Sequence, residues 1–180
     1  MKIFRLLSVL CLLLVACGEP PEPALPANPS ARVTVLVCGG LGDSCVGQDY
    51  DAIKTGCPDV DLVYVADHDA YKIDLASYLD ENPHSPKVAV IAHSWGTNQA
   101  ATIPAQYRCL LDPVAFSGAT ITTPDDGAIV DVFYRQQVFG PWTATIKGNV
   151  TTVQKVPGDH GSMPRAPEVL QRIVERINAM

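Results

Sequence analysis

The residues around Ser94 suit a nucleophilic hydroxyl. The apolar run at 88–91 predicts a buried strand, and the chain after Gly96 is compatible with a helix. Ala92 and Gly96 are small residues two positions before and after the serine, and such residues allow a sharp strand-to-helix turn that exposes the hydroxyl. We therefore predict that Ser94 is a nucleophile and that the Trp95 N–H faces the developing oxyanion. The alternative is an ordinary buried strand followed by a polar turn.

A histidine near the carboxyl end could serve this serine as a base. Residues 150–156 predict a short strand, and His160 lies in the glycine-rich loop that follows it. A histidine after the last strand can take the serine proton during attack and return it to the leaving group. Alone, His160 would be interpreted as a polar loop residue. Combined with the turn at Ser94, its position predicts a general base.

Several segments, in order, resemble the thioesterase branch of the α/β-hydrolases. The residues that carry the resemblance are Val-Cys-Gly-Gly-Leu-Gly at 37–42, Ala-His-Ser-Trp-Gly at 92–96, Ser-Gly-Ala at 117–119, Trp142, Gly-Asn-Val at 148–150, Val-Pro-Gly-Asp-His at 156–160 and Pro-Glu-Val at 167–169. They span about residues 33–179, and the resemblance implies hydrolysis of acyl esters or thioesters. It also implies a second oxyanion donor in the first glycine-rich turn, which we place at Gly40.

The resemblance further implies an acidic partner for the histidine, after either of two strands between the serine and the histidine. We predict Asp126, with Asp125 as the alternative, because both lie in a Pro-Asp-Asp-Gly loop after a strand. A plain turn is the other interpretation of this pair. Asp112 precedes a strand predicted at 114–116, which would place it at the wrong end of that strand.

Three other polar positions are given structural roles. Asp131 lies in an alternating run and is expected to face solvent. The end of that run, where many relatives carry the acid, reads Arg135-Gln136-Gln137, a departure from the family pattern. Asp159 is assigned to turn formation. His93 is expected to line the pocket or to pack under the turn, because adjacent residues cannot easily aim a ring and a hydroxyl together.

The N-terminus predicts export and lipid attachment. Lys2 and Arg5 precede an apolar run that ends Leu-Val-Ala-Cys-Gly at 14–18, the pattern of a secretory signal. The ending resembles a bacterial lipobox, which implies that Cys17 becomes the lipidated first residue. An ordinary cleaved signal and a transmembrane anchor are the alternatives, although a span needs about 20 apolar residues. We expect the bacterial cell envelope, and Gly18 favours the outer membrane where a cell has one.

The predicted organisation is a signal peptide at 1–16, a lipidated cysteine with a proline-rich tether at 17–31, and a hydrolase domain at 32–180. Strands are predicted at 32–37, 61–65, 87–91, 114–116, 129–134 and 150–156, and helices at 48–54, 70–80, 97–107 and 167–178. Alternation of strands and helices favours an α/β three-layer sandwich with a mainly parallel sheet. The resemblance makes this a minimal, nearly lidless α/β-hydrolase.

Cysteines, charge and polar clusters limit the partners. Export leaves Cys38, Cys45, Cys57 and Cys109, which allow three disulfide pairings, and Cys45 with Cys57 is a plausible local link. Asp-His-Asp at 67–69 is interpreted as a polar loop, so we expect neither a metal nor an organic cofactor. The formal net charge of −6 without basic clusters disfavours nucleic acid as a partner.

These observations predict a lipid-anchored serine hydrolase that acts on a small-molecule acyl substrate through an acyl-enzyme. The membrane is expected to be contacted through the N-terminal lipid. A cutinase- or lipase-like carboxylesterase is the alternative enzyme. A catalytically degenerate hydrolase-fold binding lipoprotein is the alternative outside catalysis. The acyl chain, the leaving group and the oligomeric state stay open.

Overall fold

The computed structural model describes residues 31–40, 47–65, 79–81, 84–136 and 142–180. In chain order, its elements are β1 (Val33–Cys38), α1 (Gly47–Gly56), β2 (Val60–Val65), β3 (Val88–His93), α2 (Thr97–Ala100), β4 (Tyr107–Leu111), β5 (Thr120–Thr123), β6 (Ile129–Arg135), β7 (Thr145–Gly148), β8 (Thr152–Val156) and α3 (Pro167–Asn178). Single 3₁₀ turns follow β3, precede β5 and precede α3. The N-terminal segment with Cys17 and the Asp-His-Asp cluster at 67–69 lie outside the described residues.

Within the described residues, six strands form one parallel sheet in the order β2-β1-β3-β4-β6-β8. Strand β3 is central, and its residue Ala92 pairs with Cys38 of β1 and with Leu110 of β4. Both β1 and β3 are buried along their whole length, as expected where a parallel sheet is covered on both faces. The carboxyl ends of β1, β3, β4 and β6 therefore meet along one rim of the sheet.

Alternate residues of the strands supply two apolar layers. On one face, residues such as Val35 and Ile91 share a cluster with Ile53 of α1 and Ile173 of α3. On the other face, Leu36, Val90 and Leu110 share a cluster with Ala100 at the end of α2. Helices thus pack on both sides of a parallel sheet, which confirms the expected three-layer α/β architecture.

Two ion pairs, each with one fully buried partner, lie where the sheet meets its covering layers. Asp131 of β6 is fully buried, and Arg176 of α3 places its Nε 2.9 Å from Asp131 Oδ2. The expectation that Asp131 faces solvent was therefore wrong, because its side of β6 lies under α3. On β4, the fully buried Arg108 donates from Nη1 and Nη2 to the two carboxylate oxygens of Asp126.

The chain between α2 and β6 differs most from the prediction. The helix predicted at 97–107 ends at Ala100, and Tyr107 already begins β4. The strand predicted at 114–116 is replaced by β4, five residues that are all buried. Arg108 interrupts the apolar pattern of β4, yet its charge is compensated by Asp126, so the strand can remain in the core. Strands β5 and β7 were not predicted, and they form a separate parallel pair.

The cysteines do not form the expected disulfide. Cys38, Cys57 and Cys109 are free, and Cys57 Sγ lies 3.9 Å from the carbonyl oxygen of Val174. Cys38 and Cys109 lie on β1 and β4, which are separated by β3, so these two strands are about 9.6 Å apart. A disulfide needs Cα atoms within about 7 Å. Burial raises the pKa of Cys38 to about 12, so this thiol is protonated at neutral pH. Cys45 lies outside the described residues.

Neither a metal cluster nor a membrane span is found within these ranges. In the described part of the chain, no three His, Cys, Asp or Glu side chains are grouped so that they could hold a metal ion. Among the same residues, no helix is long and apolar enough to cross a membrane.

Candidate active site

Ser94 lies at the carboxyl end of the central strand, in a strained turn. The backbone is extended at His93, with φ −116° and ψ 146°, and then changes at Ser94 to φ 55°. A serine rarely adopts this left-handed conformation, and strain of this kind collects at functional sites. A 3₁₀ turn at Ser94–Gly96 then leads into α2, so the predicted strand-to-helix turn is present.

Two glycines allow the chain to pass close to this turn. A Cβ on Gly96 would lie 2.4 Å from the carbonyl oxygen of Gly39. A Cβ on Gly40 would lie 2.4 Å from Ser94 Cβ, 2.7 Å from Ser94 Oγ and 3.1 Å from the Trp95 backbone nitrogen. The structure thus brings together Ser94, Trp95 and Gly40, as the sequence predicted. A side chain on Gly40 would fill the space beside the hydroxyl.

His160 contacts the serine from the loop after β8. Its Nε2 lies 2.7 Å from Ser94 Oγ, although the two residues are 66 positions apart in the chain. Asp159 shapes the loop: its carboxylate accepts the Ser162 N–H at 2.8 Å, and the Ser162 hydroxyl donates to the Asp159 carbonyl at 3.0 Å. The hydrogen bonds from Ser162 lower the pKa of Asp159. Asp159 therefore forms the turn that was expected of it.

The carboxylate beside the imidazole belongs to Asp112. His160 Nδ1 lies 2.6 Å from Asp112 Oδ2, and the Asp112 side chain is 1% exposed. Asp112 directly follows β4 with φ 41°, and its N–H donates to the Phe133 carbonyl of β6 at 2.7 Å. Because β4 ends at Leu111, Asp112 lies at the carboxyl rim of the sheet, next to Ser94 and His160.

The expected position of the acid was therefore wrong. Asp126 is paired with Arg108, whose hydrogen bonds hold the pKa of Asp126 below its usual value. Asp125 is an exposed residue in the same turn. The error followed from the strand assignment, since a strand at 114–116 would have put Asp112 at the opposite rim. Recognising Tyr107–Leu111 as a strand would have identified Asp112.

Comparisons with solved structures concern the fold of the chain. RedJ with a PEG molecule bound in its active site superposes with a TM-score of 0.52 at 13% sequence identity, covering 92% of this chain and 97% of RedJ. A second structure, the RedJ thioesterase from the prodiginine biosynthetic pathway of Streptomyces coelicolor, has a TM-score of 0.50 at 12% identity, with the same two coverages. The chain has an α/β-hydrolase fold. No protein-family model and no curated protein matches the sequence.

Arg135 occupies the carboxyl end of β6. Its Nη2 lies 2.6 Å from Asp112 Oδ2, and both side chains are buried. Burial lowers the pKa of Arg135, and the charge of Asp112 opposes that shift. The guanidinium offsets the cost of burying the Asp112 carboxylate, which was not anticipated from the sequence.

His93 supports the position of His160. Its Nε2 donates to the His160 backbone carbonyl at 2.9 Å, and the two ring centroids are 4.4 Å apart. His93 is 1% exposed, in agreement with the expectation that it packs under the turn. The end of β3 therefore presents Ser94 and also holds the loop that carries the imidazole.

Proposed function

We propose that this protein is a serine hydrolase that cleaves acyl esters or thioesters. Ser94 attacks the acyl carbonyl while His160 Nε2 accepts the hydroxyl proton. The imidazolium then donates this proton to the oxygen or sulfur of the leaving group, and an acyl-enzyme remains. Water, deprotonated by the same nitrogen, releases the acid and regenerates Ser94. Asp112 accepts the Nδ1–H of His160 and keeps Nε2 aimed at the serine.

One observation carries the proposal. The Ser94 hydroxyl, the His160 ring and the Asp112 carboxylate form a continuous series of contacts of 2.7 and 2.6 Å. This series starts from a serine whose backbone is strained into the left-handed region. A surface serine beside a histidine would need neither the strain nor the buried carboxylate.

We assign the oxyanion contacts to the backbone N–H groups of Trp95 and Gly40. The close approach of Gly40 to Ser94 Oγ and to the Trp95 nitrogen supports this assignment. Preorganised donors of this type each contribute about 3 kcal/mol to lowering the barrier. Thioesters are included among the proposed substrates because the chain shares its fold with RedJ, which is described as a thioesterase.

Hydrolysis of matched substrates tests the proposal. We expect purified protein to cleave p-nitrophenyl butyrate or a butyryl thioester, and Ser94→Ala and His160→Gln each to lower kcat by about 10³-fold or more. His84→Gln is the matched control, because His84 lies in the segment before β3 and not at the carboxyl ends of the strands, and it should keep kcat within about twofold. Activity that survives Ser94→Ala in folded protein would overturn the mechanism. A higher kcat/KM for the oxygen ester would favour the carboxylesterase alternative.

The binding-module alternative loses its main support. It was motivated by the missing acid and by the small size of the domain, and Asp112 lies 2.6 Å from the His160 ring.

We also propose that the protein is exported and lipidated on Cys17, on the basis of its N-terminal sequence. In a bacterial host, radiolabelled palmitate should enter the wild-type protein and place it in the membrane fraction. Cys17→Ala should abolish both the label and the sedimentation with membranes. Label retained by Cys17→Ala would refute lipidation at this residue.

A further inference from the structure

Three aromatic side chains form a continuous surface next to the serine. We call them the aromatic cluster, and they are Trp95, Phe116 and Trp142. The rings of Trp95 and Phe116 pack edge to face, with centroids 4.5 Å apart and an angle of 87° between the ring planes. Phe116 and Trp142 follow at 6.0 Å. Phe116 is 69% exposed and Trp142 is 40% exposed. Apolar rings of this size are usually buried, so their exposure beside a reactive serine needs a cause.

The chain is shaped to present Phe116. Ser117 adopts φ 55° and Gly118 adopts φ 64°, directly after the ring. In the described residues, the non-glycine positions with positive φ are Ser117, Ser94 and Asp112. The strained residue Ser117 therefore lies on the same short segment as Asp112, five residues earlier, and strain of this kind is retained at functional positions.

Hydrogen bonds tie the segment to the serine turn. Asn98 Nδ2 donates to the carbonyls of Trp95 and Val114, at 2.8 Å each. The Val114 N–H donates to the Ser94 carbonyl at 3.3 Å, and the Ala115 N–H donates to the Trp142 carbonyl at 3.0 Å. The aromatic cluster is thus held in a defined position relative to the serine.

The two segments of sequence that carry Phe116 and Trp142 contain no charged residue. Residues 113–124 and 142–146 contain no Asp, Glu, Lys or Arg, although these residues make up 18% of the chain. A surface of this composition attracts an uncharged apolar group and offers no ion pair to a charged one.

We propose that the aromatic cluster binds the acyl part of the substrate, and that this acyl part is an uncharged alkyl or aryl group longer than acetyl. The inference rests on the proposed hydrolase function. The leaving group must reach His160, which packs on His93, the residue before Ser94. The aromatic cluster instead includes Trp95, the residue after Ser94, and is therefore assigned to the acyl side.

Chain-length dependence of hydrolysis tests the assignment. Phe116→Ala should lower kcat/KM for p-nitrophenyl octanoate about tenfold. It should change kcat/KM for p-nitrophenyl acetate by no more than about twofold. Val153→Ala is the matched control, because Val153 is 63% exposed on β8 outside the aromatic cluster. Equal losses for both esters would overturn the proposal. A loss that follows leaving-group size, measured with phenyl and naphthyl acetates, would overturn it as well.

Binding without turnover supplies an independent readout. The chain contains 2 tryptophans, and both belong to the aromatic cluster. In Ser94→Ala protein, ethyl octanoate should move the tryptophan emission to shorter wavelength in a saturable way, and ethyl acetate should not. Absence of a shift would refute the acyl site, and a shift produced only by phosphatidylcholine vesicles would show that the rings meet a membrane instead. Failure of the hydrolase function itself would appear separately, as wild-type protein that cleaves none of the esters.

Discussion

Asp112 has an unusual combination of properties for a single side chain. Its Oδ2 atom lies 2.6 Å from both the His160 imidazole and the Arg135 guanidinium, while its backbone is held at φ 41°. Aspartate tolerates left-handed backbone better than most residues, which explains why this position can be strained and still carry a carboxylate. Arg135 lies at the end of β6 and His160 lies in the loop after β8. The rim of the sheet therefore brings both partners to Asp112.

A pair of matched substitutions tests which aspartate serves the imidazole. Asp112→Asn should lower kcat by about 10⁴-fold, because the amide stabilises the wrong imidazole tautomer and provides no negative charge. Asp126→Asn should leave kcat within about twofold, since Asp126 contacts Arg108 and not His160. Ester hydrolysis by the two folded variants decides the matter, and the reverse pattern would restore the acid expected from the sequence.

Asp126 should instead contribute to stability in a pH-dependent way. Its pairing with Arg108 lowers its pKa in the folded protein below the usual 3.8, so its contribution is complete at neutral pH and is lost as the pH falls through the lowered value. Asp126→Asn should reduce the free energy of unfolding at pH 7 by about 1 to 2 kcal/mol, since Arg108 stays buried while the carboxylate is partly exposed.

Urea denaturation at pH 7 and at pH 2.5 measures this effect. The lower pH lies below the usual aspartate pKa of 3.8, so the unfolded chain has bound the proton and the contribution of the lowered pKa is smaller; the difference between the two proteins should therefore shrink. A difference that is equal at both pH values would contradict a role for the charge of Asp126.

At the level of elements, the turns after β1 and β3 must approach each other closely. Gly40→Ala would place its Cβ 2.4 Å from Ser94 Cβ, so one of the two turns has to move. Displacement of one oxyanion donor costs about 10²-fold in kcat, and we expect at least this loss. Gly47→Ala is the matched control, because its Cβ would meet no atom within 4 Å. Comparable kcat values for the two variants would remove Gly40 from the site.

Several elements could be predicted because their signals are local. Helix α3 was predicted with its observed bounds, since Pro167 and the apolar spacing of Val169, Ile173 and Ile177 act within twelve residues. The turn at Ser94 and the loop at His160 likewise follow from short segments. The glycine-rich turn that contains Gly40 is likewise visible in a short segment, and Gly40 lies close to Ser94.

The acid could not be placed because its position depends on distant partners. Strand β4 contains Arg108, which appears unfavourable for a buried strand until its pairing with Asp126, 18 residues later, is known. The burial of Asp131 likewise depends on a distant partner, because its ion pair is with Arg176 of α3. A local pattern carries no information about such pairs, so the strand was misassigned and Asp112 was placed at the wrong rim.

Considered as a whole molecule, the parallel sheet explains how distant residues meet. Ser94, Asp112 and Arg135 each lie at or directly after the carboxyl end of β3, β4 or β6, and these three strands are neighbours. His160 joins them from the loop after β8, and the ends of parallel strands form the usual ligand-binding edge of an α/β fold.

Covalent labelling tests the central claim most directly. A fluorophosphonate should form a single adduct with the wild-type protein, and peptide mass spectrometry should locate it on Ser94. Labelling should disappear in Ser94→Ala, fall strongly in His160→Gln and Asp112→Asn, and persist in Asp126→Asn. Folded wild-type protein that forms no adduct, or an adduct on another residue, would contradict the assignment of Ser94 as the nucleophile.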